Sequence, residues 1–199
     1  MTDTSGSDYT ARLEHRGSKR WKRLLNVQAP YQWNLRRQSL GRTLDVGCGV
    51  GRNLRSLERG SIGVDHNATS VARARAHGFD AFTTTEWRAH SSEFVGAFDG
   101  LLFAHVIEHM PREEAAALIK EYLPALRPGG RAFLICPQER GYATDQTHVE
   151  WTSGEDLVEL VERCGLSTQG WKSFPAPRAF GRIFTYNEFT LLATKPGHS

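Results

Sequence analysis

Two short segments of this chain concentrate side chains that can move protons. His105-Val106-Ile107-Glu108-His109 sets two imidazoles beside a carboxylate, and Asp145-Gln146-Thr147-His148-Val149-Glu150 sets a third between two acids. Imidazole titrates nearest neutrality, so either segment can supply a general base. His148 leads, because Asp145 and Glu150 stand near enough in sequence to orient its ring; His105 and Asp145 complete the catalytic set. The second segment has a rival reading. Asp145, His148 and Glu150 would make a divalent-metal site whose mixed oxygen and nitrogen donors suit Mg2+ or Mn2+ modestly.

A third segment binds rather than reacts. Leu44-Asp45-Val46-Gly47-Cys48-Gly49-Val50-Gly51-Arg52 reads as a buried strand, a glycine-rich turn and a helix start. Such a turn brings the backbone close to a nucleoside-type ligand, and a helix start near residue 51 would add free N–H groups. The dinucleotide fingerprint G-x-G-x-x-G needs a third glycine where this chain has Arg52. Asp45 lies just ahead of the turn, where a pyrophosphate would be repelled and a cationic ligand attracted. Ile62-Gly63-Val64-Asp65 then ends a second strand in an acid, about 20 residues on, as a ribose-binding carboxylate requires.

The elements that must position these residues alternate. Strands are predicted at 42–46, 61–65, 79–83, 97–103 and 130–136, with helices near 51–58, 68–77, 111–126 and 153–164. Pro111 suits a first helical turn, Ser153 a helix cap, Gly165 a helix end, and Gly129-Gly130 a turn into the next strand. Residues 166–174 and 187–195 are strands with no helix between them. The expectation is an α/β, Rossmann-like three-layer sandwich: a mostly parallel seven-stranded sheet with an antiparallel C-terminal hairpin. Residues 1–17 read as a flexible polar tail, 18–40 as a helical cap broken near Pro30, and 41–199 as the main part of a single domain.

The bulk composition is that of a globular chain, with 39% hydrophobic and 24% charged residues. A polar start and the lack of a long apolar run argue against a signal peptide or membrane span. The three cysteines, Cys48, Cys136 and Cys164, show no metal-ligand spacing and read as reduced thiols, which points to the cytoplasm. The net charge of +3 is modest, yet Arg12, Arg16, Lys19, Arg20, Lys22, Arg23, Arg36, Arg37 and Arg42 load the first quarter.

LDVGCGVGRN, GVDHN, FDGLLFAHVIEHM and LRPGGRAFLICP, in that order and spacing, resemble the class I S-adenosylmethionine-dependent methyltransferases from about Arg42 to Lys195. The resemblance implies that Asp45, Gly47, Cys48 and Gly49 surround the methionine part of the cofactor, and that Asp65 with His66 meets the ribose. Residues near Thr85 would border the adenine, although Thr84-Thr85-Glu86 departs from the usual acidic-aliphatic pair. Phe103 and Ala104 would border the sulfonium, with His105 close to the methyl group.

The acceptor is inferred from what is missing. No Asn- or Asp-Pro-Pro-aromatic tetrad follows the fourth strand, and Cys136-Pro137 reverses the Pro-Cys order used at cytosine C5. A small hydroxylated metabolite is therefore favoured over nucleic acid. Tyr31, Trp33, His109 and Glu150 are the candidate acceptor-binding residues, with Phe180, Phe184 and Tyr186 as further walls. The run SKRWKRLLNVQAPYQWNLRR is similar to actinobacterial small-molecule methyltransferases, sugar O-methyltransferases among them. Alternatives are an RNA methyltransferase using the basic N-terminal arm and a non-catalytic cofactor-binding module. A second copy of the chain, as a homodimer, is a further candidate partner.

Overall fold

The computed structural model describes residues 29–197. The basic arm before residue 29 and the expected tail lie outside them. The chain divides into two compact units, the first ending at His90 and the second beginning at Ser91.

In the first unit, helix α1 (Ala29–Arg37) precedes strand β1 (Thr43–Val46), then β2 (Ile62–Asp65), α2 (Ala68–Ala76), β3 (Ala81–Thr83) and α3 (Thr84–His90). The strand order is β3-β2-β1, both pairs are parallel, and Leu44 faces Ile62 while Val64 faces Phe82. β1 and β2 are buried at every position, as parallel strands covered on both faces should be. Asn67 caps α2 by accepting from the Thr69 and Ser70 amides at 3.0 and 3.1 Å. Val71 and Ala74 of α2 pack with Cys48, Leu54 and Ala81.

Two expectations fail here for local reasons. The helix predicted over 51–58 is only a short 3-10 turn, Leu54–Ser56. Gly51 lies at φ +82°, outside the helical region, so no helix starts there. Conversely, Thr84–His90 is helical because Thr83 and Glu86 make a capping box: the Thr83 hydroxyl accepts from the Glu86 amide and the Glu86 carboxylate from the Thr83 amide. Pro30 stands in the first turn of α1, where its missing N–H is harmless.

The second unit runs β4 (Phe98–Ala104), α4 (Arg112–Tyr122), β5 (Leu126–Pro137), α5 (Glu139–Tyr142), α6 (Gly154–Arg163), β6 (Ser167–Phe174) and β7 (Glu188–Thr194). Its strand order is β4-β5-β7-β6. β4 and β5 are parallel, whereas β7 is antiparallel to both β5 and β6, so the C-terminal hairpin is present. Gly129-Gly130 is part of β5 rather than a turn before it, because the strand edge continues through Gly129 N–H to Lys195 O and Lys195 N–H to Gly130 O. Pro111 sits at the cap of α4, with an extended ψ of 151°, and not inside its first turn.

Helix α6 shows how sequence sets packing. Leu157, Leu160 and Val161 form its buried face, at helical spacing. Its first residue must be small, since a Cβ on Gly154 would lie 2.2 Å from the Trp171 ring. Ser153 and Asp156 form the capping box at its start. Ser153→Ala is expected to lower unfolding stability by about 1 kcal/mol, read as a lower denaturant midpoint at unchanged m-value.

Candidate functional site

The first unit carries the glycine turn. The Gly47 and Cys48 amides both donate to Val64 O, at 2.8 and 3.1 Å, which ties the turn to β2. Gly47, Gly49 and Gly51 have φ of +77°, +53° and +82°, a conformation that L side chains avoid. Asp65 is spanned by backbone donors: Oδ2 accepts from Gly49 N–H and Oδ1 from Asn67 N–H, each at 2.8 Å. A carboxylate has lone pairs beyond these two, so it can still receive ribose hydroxyls. His66 lies exposed beside it, Nδ1 3.6 Å from Oδ1.

Asp45 is the anomaly of this unit. It is fully buried; Oδ1 accepts from Asn53 Nδ2 at 3.3 Å, while Oδ2 has no hydrogen-bond partner. Burial pushes its pKa up to about 7; the Asn53 bond opposes the rise and the Asp65 charge adds to it. A buried carboxylate oxygen without a donor, beside a glycine turn, fits a cationic ligand that would supply the missing partner. The donor chain continues from Asn53 to Tyr31, whose hydroxyl donates to Asn53 Oδ1 at 3.0 Å.

Several expectations change in this unit. Tyr31 supports the Asn53–Asp45 pair and is not free to wall an acceptor pocket through its hydroxyl. Trp33 is 54% exposed, with the Arg37 guanidinium 4.7 Å above its ring, one helical turn along. The Cys48 side chain packs in the core, and burial raises its thiol pKa; only its backbone can face a ligand. Thr85 is exposed on α3, while its neighbour Glu86 is held by Thr83 and by Arg75 at 2.8 Å.

In the second unit the end of β4 leads into the His105–His109 segment. Phe103 is fully buried, so its side chain belongs to the core and not to a ligand wall; Ala104 is nearly buried. His105 sits at φ +58° and its amide continues the β4–β5 ladder to Ile135 O at 2.9 Å. Its Nδ1 lies 3.2 Å from Glu108 Oε1 and its Nε2 3.0 Å from Glu188 Oε1. Burial alone would lower its pKa, but the bonds and charges of Glu108 and Glu188 outweigh it and push the value up to about 10. His105 is thus an imidazolium at neutral pH, which corrects its assignment as a base.

The charge state can be tested apart from the backbone. His105→Asn keeps a residue that tolerates positive φ but removes the cation between two buried acids. A raised pKa in the folded state stabilises below the unfolded value near 6.5 and loses that contribution as pH rises through about 10. The variant is expected to lose about 2 kcal/mol at pH 6, a figure discounted for solvent reaching the half-exposed ring. The difference from wild type should shrink toward pH 10 in denaturant titrations across that range.

His109 and His148 are differently held. His148 Nδ1 faces Tyr142 O at 2.7 Å, and its ring stacks on the Tyr142 ring at 4.8 Å. His109 Nδ1 faces Thr147 O at 3.1 Å, and the two imidazoles lie 4.9 Å apart. A carbonyl only accepts, so each Nδ1 carries a hydrogen, and in the neutral ring Nε2 is then the lone-pair nitrogen.

The acids expected to orient His148 do other work. Asp145 Oδ1 accepts from the Thr147 amide and hydroxyl at 3.1 and 2.8 Å, and Glu150 Oε2 accepts from the Arg112 amide at 2.8 Å. The Tyr142 carbonyl orients the ring instead. For the same reason Asp145, His148 and Glu150 do not form a metal site. The group whose donor atoms converge is Glu108, His109 and His148. Sequence reasoning missed Glu108 as an interior acid, and Glu188, 83 residues from His105, carried no local signal. Phe180, Phe184 and Tyr186 are all exposed.

With this geometry in place, the comparisons are consistent with one another. Residues 43–130 match a family model described as a methyltransferase domain. A ubiquinone biosynthesis O-methyltransferase of Xanthomonas oryzae pv. oryzae is 33% identical over 103 residues, 47% of this chain and 41% of that protein. The chain spans about two fifths of the length of the curated relatives it matches. A solved chain from the complex between the Haloferax volcanii Trm112 methyltransferase activator and the putative methyltransferase aligns over 100% of this chain and 99% of its own, with TM-score 0.71 and 16% identity. Magnesium protoporphyrin IX methyltransferase from Synechocystis PCC 6803, crystallised with S-adenosylhomocysteine, aligns over 90% and 94%, with TM-score 0.60 and 18% identity. The chain has the α/β, Rossmann-like fold of class I S-adenosylmethionine-dependent methyltransferases. Among the described residues no helix is long and apolar enough to cross a membrane.

Proposed function

We propose that this chain transfers the methyl group of S-adenosylmethionine to a hydroxyl of a small acceptor such as a sugar. The observation that carries the reading is Asp45, a fully buried acid with an oxygen lacking a donor, set two residues before the glycine turn begins at Gly47. It suits the cationic methionine end of the cofactor, while Asp65 suits the ribose. When bound, the cofactor supplies a carbon already activated by its sulfonium.

The chain's own residues do the rest. The glycine turn and Asp45 bind and orient. His148, fixed by the Tyr142 carbonyl with Nε2 left as a proton acceptor, is the group that takes a hydroxyl proton. Oxygen as the acceptor atom is supported by the O-methyltransferase named among the relatives. The choice of a sugar rests on the resemblance of the run over residues 18–37 to actinobacterial small-molecule methyltransferases, sugar O-methyltransferases among them.

The test is a transfer assay with methyl-labelled cofactor against panels of sugars, phenols and RNA. Label in a small hydroxylated compound is expected. Label in RNA alone would replace the reading with the nucleic-acid alternative. Tight cofactor binding with no transfer to any acceptor would replace it with a cofactor-binding module.

A further inference from the structure

We propose that Glu108, His109 and His148 form a binding site for a divalent transition-metal ion of the zinc class, with open positions that receive the acceptor hydroxyl. The site deepens the reading above and rests on it for its use: with an ion bound, His148 Nε2 is a ligand, and the ion takes over from the imidazole the activation of the acceptor hydroxyl. Its existence rests on geometry within the second unit.

Three observations converge. One ligand atom from each residue lies within 4.8 Å of the other two, against about 3.4 Å between neighbouring donors on a tetrahedral ion. Small side-chain rotations close that gap. Nδ1 of each histidine lies against a backbone carbonyl, His148 against Tyr142 and His109 against Thr147, with the Thr147 hydroxyl 3.2 Å from His109 Nδ1 as well; in the tautomer that these carbonyls select, Nε2 is the ligating atom. Metal-bound histidines are held in this manner, the far nitrogen fixing tautomer and ring direction. Finally, Glu108 is 1% exposed; its Oε1 is engaged by His105 and the buried Cys136 thiol lies beside the carboxylate, yet Oε2 has no partner of hydrogen-bond geometry. The Oε2 atom of this buried carboxylate, beside the two imidazoles, is thus left without a hydrogen-bond donor.

The surroundings hold all three ligands in place. The Val149 and Glu150 amides approach Glu108 O at 2.8 and 3.4 Å, fastening the 145–150 loop to the Glu108 turn. Asp145 fixes Thr147, the residue whose carbonyl orients His109. The donor set decides the ion: two imidazoles and one carboxylate favour Zn2+, Co2+ or Mn2+, whereas Mg2+ and Ca2+ prefer oxygen alone. Three protein ligands leave positions for an exogenous oxygen, and an ion there lowers the pKa of a bound hydroxyl.

The experiment titrates Co2+ into chelator-treated full-length protein, without cofactor or acceptor, and follows visible ligand-field absorption. One saturating equivalent is expected, displaced by Zn2+ and not by millimolar Mg2+. His109→Asn and His148→Asn should each weaken Co2+ binding by about 100-fold or more, while Glu150→Gln leaves it within about twofold of wild type, since Glu150 faces Arg112. Thermal unfolding and S-adenosylhomocysteine binding verify that each variant is folded; Glu108→Gln is left out because it could disturb the His105 contact. No saturable binding, binding indifferent to both histidines, or displacement by Mg2+ as readily as by Zn2+ would overturn the site. Failure to bind metal leaves methyl transfer standing with His148 as direct base. Metal binding without methyl transfer would instead count against the functional reading.

Discussion

Asp45→Asn is expected to make the ligand-free protein more stable above neutral pH and at the same time to abolish tight cofactor binding. The folded state holds the Asp45 proton up to about pH 7, against an ordinary value of 3.8. The unfolded chain therefore releases that proton earlier, so stability falls as pH rises from about 4 to 7 and stays reduced above. Asparagine never ionises, and it should recover about 3 kcal/mol at pH 8. The same change removes the charge proposed to meet the cationic cofactor, and affinity should drop about 100-fold or more. In wild type, cofactor affinity should rise through pH 6–8 as Asp45 ionises and level off beyond. Calorimetric titration and denaturant unfolding of both proteins at pH 5.5 and 8 check all three statements. A variant that still binds S-adenosylhomocysteine tightly would remove Asp45 from the site, and one no more stable than wild type at pH 8 would remove the buried proton.

His148→Ala should leave cofactor binding intact and lower kcat by about 100- to 10,000-fold. The first expectation follows from the division of labour: the glycine turn, Asp45 and Asp65 belong to the first unit, and none of their hydrogen bonds involves His148. The second follows from the Nε2 lone pair that the Tyr142 carbonyl secures. The histidine also packs on Tyr142 and His109, so His148→Gln, closer in size, separates lost chemistry from lost packing. Both variants should show low turnover with wild-type S-adenosylhomocysteine affinity. Full activity in either would transfer the base to another group.

The strand framework was legible because its signals are local. Apolar runs ending in acids at Asp45 and Asp65, the hairpin without an intervening helix, and the cap at Ser153 with its stop at Gly165 all appear as read. The misses have physical causes. The helix expected after Gly51 does not form, because the turn holds that residue at positive φ. Helix α3 went unseen, although Thr83 and Glu86 carry the spacing of a capping box. Pro111 and Gly129-Gly130 show that a residue suited to a helix start or a turn takes its final role from its neighbours.

The site divides along the same line. The sequence by itself carried the reading of a cationic nucleoside-type ligand, because a glycine turn and the acid before it are contiguous and their chemistry does not depend on distant partners. It also singled out His105, His109 and His148 as candidates. Only the tertiary structure decided their states. His105 became a cation because Glu188, far along the chain, lies 3.0 Å from its ring. His148 took its orientation from a backbone carbonyl, which no side-chain pattern encodes. Asp145 and Glu150, adjacent in sequence to His148, were drawn to Thr147 and Arg112, since hydrogen bonds follow distance in space and not spacing along the chain.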